Sequence, residues 1–136
     1  MQQTLGGGYY RVSAAISTLV GDAKIRAPRN GESLITPELL DRLRPLLEPG
    51  DILIERRNWY LSNAFLPGYW PHAALYVGST EDLAAMGLAD DPAVARWQEK
   101  FAAPDAQGHE LRVIEAVSKG VVFTSLDHSV GEADAV

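Results

Sequence analysis

His72 and Glu115 are the residues of this chain whose types and setting are best suited to chemistry. His72 opens the apolar run Ala73-Ala74-Leu75-Tyr76-Val77-Gly78, and Glu115 closes Leu111-Arg112-Val113-Ile114. Each therefore stands at the end of a short expected strand bounded by turn or loop residues. An antiparallel pairing of the two runs sets His72 opposite Glu115, Ala74 opposite Val113 and Tyr76 opposite Leu111, with all of these side chains on one face. A carboxylate hydrogen-bonded to one imidazole nitrogen fixes the tautomer and stabilises the imidazolium, leaving the other nitrogen to take a proton from a nucleophile. The nucleophile such a pair would serve is missing: the 136 residues contain no cysteine. On spacing alone, a satisfied structural histidine and a solvated strand terminus are the commoner readings of the two residues.

The elements that must position the pair can be read on both sides of it. Glu48-Pro49-Gly50 is a turn, and Ile52, Leu53 and Ile54 follow as a short buried strand ending at Glu55. Asp51 reads as a turn aspartate bonding nearby backbone amides in preference to an acid of the site. Residues 58–65 read as a short helix stopped by Leu66-Pro67-Gly68. Trp70 and Pro71 then stiffen the approach to His72, because the residue before a proline is held extended. Trp70 is a candidate wall of a substrate cleft, with plain core packing as the alternative. Beyond Glu115, Ser118-Lys119-Gly120 is a tight turn that returns Val121, Val122 and Phe123 as the next strand.

Residues 79–110 read as a helical insertion between the two strands. Asp91 caps and Pro92 opens one helix whose apolar stripe is Val94, Trp97 and Phe101. The insertion covers a sheet edge or lies over the cleft as a lid, edge cover being the simpler role. Nearer the start, Tyr9, Val12, Ile16, Leu19 and Val20 recur at near-helical spacing after Gly6-Gly7-Gly8. Thr36 and Pro37 then start a helix with Leu39, Leu40 and Leu43 on one face, which Pro45 kinks or stops. The expected class is α+β, N-terminal helices followed by a small antiparallel sheet.

Three segments, PGDILIE at 49–55, LSNAFLPGYWPHAALYVG at 61–78 and VIEAVSKGVV at 113–122, resemble the circularly permuted, NlpC-like branch of papain-fold cysteine hydrolases, the YiiX/YebB-like group. The similarity covers residues 49–78 and 111–136, and PGYWPHAALYVG is its most specific part. The resemblance implies a permuted papain-like domain in which His72 is the catalytic base and Glu115 the polar third member. It also implies that the strand holding Ile52 lies beside the histidine strand. In that group the cysteine follows the histidine, near the N-terminus of a helix in a C-terminal segment, and these residues hold no such segment. Residues 1–136 are thus expected to form a single domain, the N-terminal portion of such a hydrolase, with the cysteine in a further segment. The apolar face beside His72 is then expected to be bare, or covered by that segment or by a second chain. The implied activity is that of a thiol hydrolase or acyltransferase scaffold acting on a peptide or on a lipid amide or ester. The alternatives are a non-catalytic binding module with the same cleft and a structural or interaction protein.

Composition narrows the remaining classes. A chain of this length with 46% hydrophobic residues can bury one core. The net charge of −6 gives no basic footprint for nucleic acid and disfavours anionic membrane surfaces. Without cysteine there is no disulfide or thiolate-ligated metal, and His72, His109 and His128 are too dispersed for a recognisable ligand spacing. No cofactor and no metal are expected. The first residues carry neither a basic nor an uninterrupted apolar signal region, and no stretch approaches the roughly 18 apolar residues of a spanning helix. A cytoplasmic protein with no integral membrane segment is the default expectation.

Overall fold

The computed structural model describes residue 23 and residues 33–57, 60–61 and 68–136. The helix expected over 9–20, the Gly6-Gly7-Gly8 run and nearly all of the helix expected over 58–65 lie outside the described residues. Within them the class is α+β, with five α-helices and one four-stranded antiparallel sheet. Helix α1 (Pro37–Leu43) is followed by a 3₁₀ turn (Arg44–Leu46), then strands β1 (Ile52–Glu55) and β2 (His72–Tyr76). Three short helices come next, α2 (Thr80–Ala85), α3 (Pro92–Ala95) and α4 (Gln98–Ala102). Strands β3 (Leu111–Val117) and β4 (Gly120–Ser125), helix α5 (Leu126–Ser129) and a 3₁₀ turn (Val130–Glu132) complete the order. No described helix is long and apolar enough to cross a membrane.

Local chemistry accounts for most of the element ends. Thr36 is extended and its side chain accepts from the Leu39 amide, while Pro37 fills the first helical position, where an amide hydrogen would be unused. Pro45 cannot donate to an α-helical ladder, and the chain tightens into 3₁₀ geometry at Arg44. Ser79 and Asp82 form a reciprocal capping box at α2, and Asp91 with Pro92 starts α3. Ser118 and Lys119 make the two-residue loop between Val117 and Gly120, with Gly120 at φ +108°. Asp51 accepts from the Glu48 amide at 2.8 Å, which makes it a turn residue.

The sheet is a meander in the order β1-β2-β3-β4. Because strand side chains alternate, Leu53 and Glu55, His72, Ala74 and Tyr76, and Leu111, Val113 and Glu115 share its inner face. The middle of that face is the core, where Leu53, Ala74 and Val113 meet Leu40 from α1 and Leu126 and Val130 from the C-terminal turns. The face that carries His72 is therefore not bare, contrary to expectation, since the chain folds its own last helix back over it. The exposed aliphatic residues of β1, Ile52 and Ile54, lie on the outer face. This also corrects the reading of β1 as a buried apolar strand: an edge strand with one covered face buries alternate residues, here Leu53 and Glu55.

Around Ile114 of β3 and Phe123 of β4 the outer face is covered by residues 79–110, while Val121 near the hairpin turn is exposed. The single helix expected from Asp91 onward is two, α3 and α4, joined through a turn at Arg96 and Trp97. The break keeps the apolar stripe on the sheet, with Trp97 and Phe101 ring centroids 6.0 and 5.6 Å from that of Phe123. An apolar cavity of about 260 Å³ remains beneath this cover, between Leu83, Trp97, Phe101 and Ile114.

Gly78, which ends the sequence segment around His72, is fixed by its conformation and its neighbours. Its φ is +72°, and a Cβ would lie 2.7 Å from both Pro49 Cγ and Asp82 Oδ2. The left-handed backbone and a clash with a rigid ring both oppose a side chain, so Gly78→Ala is expected to destabilise the fold by about 2–3 kcal/mol. Urea unfolding at neutral pH measures this, and an unchanged midpoint would mean that the turn relaxes freely.

Candidate functional site

The end of the inner face holds charge instead of aliphatic carbon. Glu55 pairs with His72 across β1 and β2, and Glu115 pairs with Ala74 across β2 and β3, so Glu115 is diagonal to His72. The expected register, with His72 opposite Glu115, is therefore off by two residues. A two-residue slip preserves the face, which is why the side chains still meet. Leu111, expected opposite Tyr76, pairs with Ser125 of β4, while Tyr76 faces Val113. Diagonal neighbours on a sheet are within reach of long side chains, and here His72 Nε2 lies 2.6 Å from Glu115 Oε2.

Arg57, two residues past the end of β1, binds both carboxylates. Its Nε and one terminal nitrogen donate to Glu55 Oε2 at 3.1 and 2.9 Å. The same terminal nitrogen lies 3.2 Å from Glu115 Oε2 and 3.0 Å from the Ser129 carbonyl oxygen. Three acceptors thus share the two hydrogens of one nitrogen. Ser129 completes the ring of contacts by donating its hydroxyl to Glu55 Oε1 at 2.9 Å. Glu55 and Ser129 are fully buried and Glu115 nearly so, whereas the His72 side chain keeps 19% of its surface exposed. The imidazole is the most exposed member of the group, ahead of the Arg57 side chain at 12%.

The electrostatics follow from this packing. Burial by itself raises the pKa of Glu115, but the hydrogen bond from His72 and the charges of Arg57, His72 and His128 outweigh it and hold the carboxyl below its ordinary range. Burial lowers that of Arg57, and Glu55 and Glu115 more than offset the effect. Glu115 is therefore a carboxylate at neutral pH, with no proton to donate. The 2.6 Å contact then requires the hydrogen to sit on His72 Nε2. In the neutral ring Nδ1 carries the lone pair, and it has no hydrogen-bond partner among the described residues. The arrangement can take up a proton at Nδ1 and stabilise the resulting imidazolium through Glu115.

Trp70 stands at the approach to this group, 47% exposed and edge-on to Tyr69 at 5.1 Å, so it is not a core residue. The approach is anchored by the residue that follows β1. Arg56 lies over the Tyr69 ring at 4.3 Å and donates a hydrogen bond to the Tyr69 carbonyl oxygen. Arg56 is itself tied to the C-terminal residues, its amide donating to Ala135 O and its carbonyl accepting from the Asp134 amide. Glu55, Arg57 and Ser129 were not singled out by the sequence. Their only signal was the parity of Glu55 with Leu53, which places a glutamate on the buried face. A guanidinium lies between the two carboxylates, where a cation would otherwise sit, and no cluster able to hold a metal ion occurs among the described residues. No family model, no curated protein and no solved structure matches this chain.

Proposed function

We propose that His72 and Glu115 are the base and the orienting carboxylate of a thiol hydrolase or acyltransferase site. The domain would be of the NlpC-like papain type, acting on amide or ester bonds, with its thiol supplied from outside these 136 residues. The observation that carries this reading is the 2.6 Å hydrogen bond from His72 Nε2 to an ionised, buried Glu115, which leaves Nδ1 as the basic nitrogen. In the assembled site Nδ1 takes the thiol proton and the thiolate adds to the acyl carbonyl. The imidazolium returns the proton to the departing amine or alkoxide as the tetrahedral intermediate collapses to a thioester. Water or a second nucleophile, deprotonated by the same nitrogen, then releases the acyl group.

The isolated 136-residue chain is expected to leave ester and amide substrates intact. An extended product that includes a cysteine should hydrolyse an activated ester such as a p-nitrophenyl acylate, and iodoacetamide should abolish that activity. Turnover by the isolated chain that survives His72→Ala would sink the mechanism. A second reading is favoured by the way the Glu55, Arg57, Glu115 and His72 contacts close on one another without a thiol: a binding module with the same cleft and no nucleophile. Failure of every cysteine-containing extension to turn over would favour it.

A further inference from the structure

The proposed mechanism uses His72 and Glu115 but leaves unexplained why a guanidinium and a second glutamate are buried behind them. A glutamate on the covered face of a strand is costly unless its charge is matched, and an aliphatic residue would fill the same place at no electrostatic cost. Glu55 is fully buried, and its two oxygens are taken by the Ser129 hydroxyl and by Arg57. It holds the guanidinium by the Nε edge, which orients the plane so that a terminal nitrogen reaches Glu115 Oε2. That oxygen is the one that His72 also contacts.

We infer that Arg57 is a positioning residue for the pair: clamped by Glu55 and by the Ser129 carbonyl, its guanidinium holds Glu115 Oε2 where His72 Nε2 meets it. Its catalytic meaning rests on the proposed role of His72 as base. The groups facing Glu115 are His72 from β2, Glu55 from β1, Arg57 beyond β1 and His128 from α5, and Glu132 acts on Arg57 from the last turn. Arg57 is the permanent cation of this set, so its part of the field that keeps Glu115 ionised persists when both histidines are neutral. Consequently Nε2 keeps its hydrogen, and Nδ1 its lone pair, whenever the ring is neutral.

The test is a ¹³C NMR titration of the Glu115 carboxylate with ¹⁵N detection of the His72 tautomer, in the 136-residue chain and three variants. Arg57→Gln is expected to move the Glu115 midpoint upward and to turn the single His72 tautomer into a mixture. Arg57→Lys, which keeps the charge, should hold the midpoint close to the parent value. Glu55→Gln should move it downward, because a competing carboxylate is removed while the guanidinium stays. Opposite signs for the two glutamine variants are not produced by a merely structural role. A folded Arg57→Gln with an unmoved midpoint and tautomer overturns the inference, as does a lysine variant that titrates like the glutamine one. If Arg57→Gln does not fold, a midpoint in Glu55→Gln that stays or rises overturns it alone. None of these readouts requires a nucleophile. Shifts of the expected signs without thiol-dependent hydrolysis in the extended protein would uphold the positioning role and reject the hydrolase reading.

Discussion

In a form of the protein that carries the thiol, His72→Ala is expected to lower kcat/KM by about 10²–10⁴-fold, the range contributed by a positioned general base. The variant removes the proton acceptor itself, and the remaining hydroxyl and carboxylate groups offer no replacement at Nδ1. Glu115→Gln should cost much less, about tenfold, and the reason lies in Arg57. A glutamine side chain offers an oxygen and an NH₂ group, and the wrong one facing His72 would reverse the tautomer. Arg57 donates at the position of Oε2, so the amide oxygen is the group that fits there and it still accepts from Nε2. What is lost is the charge assistance of one hydrogen bond, about 1–1.5 kcal/mol. Steady-state hydrolysis of an activated ester by both variants gives the comparison. Equal losses for the two would mean that Glu115 does more than orient His72.

The parts of this fold legible in the sequence are those governed by local rules. Thr36-Pro37 and Asp91-Pro92 start helices because capping and proline geometry act within a few residues, and Ser118-Lys119 turns the chain for the same reason. The shared face of His72 and Glu115 was legible because strand period is two, so any even slip in register gives the same face. The register itself was not, since it is set by pairings between strands far apart in the chain, which continue past Tyr76 in the bond from the Val77 amide to Arg112 O. The charged group behind the pair was hidden by distance along the chain. Arg57 meets Glu115 58 residues away and Ser129 72 residues away, and Glu55 meets Ser129 across 74. Glu55 follows three aliphatic residues, Ile52, Leu53 and Ile54, whose unbroken run hides the alternation of the strand. Only one of the three is buried, because β1 has a single covered face.

The second large effect is on stability. Arg57→Ala is expected to destabilise the fold by about 3–5 kcal/mol at neutral pH, because it leaves two buried carboxylates facing each other without their cation. Neither can turn to water: Glu55 is fully buried and Glu115 is 4% exposed. The pH dependence gives the effect its signature. In the parent chain the folded pKa of Glu115 lies below the ordinary value of 4.5. The stabilisation from its ionised form is thus present above about 4.5 and is lost as the pH falls through the lower folded value. In Arg57→Ala the Glu115 carboxyl loses one of the charges that hold it down, so its folded pKa rises relative to the parent, and a proton taken up at acid pH relieves the repulsion. Acidification should therefore weaken the parent chain and narrow the gap between the two proteins. Urea unfolding of both at pH 7 and pH 4 measures this. A gap that is equal at the two pH values would assign the loss to packing of the arginine stem instead of to the buried charges, and a gap under about 1 kcal/mol would place Arg57 with ordinary surface ion pairs.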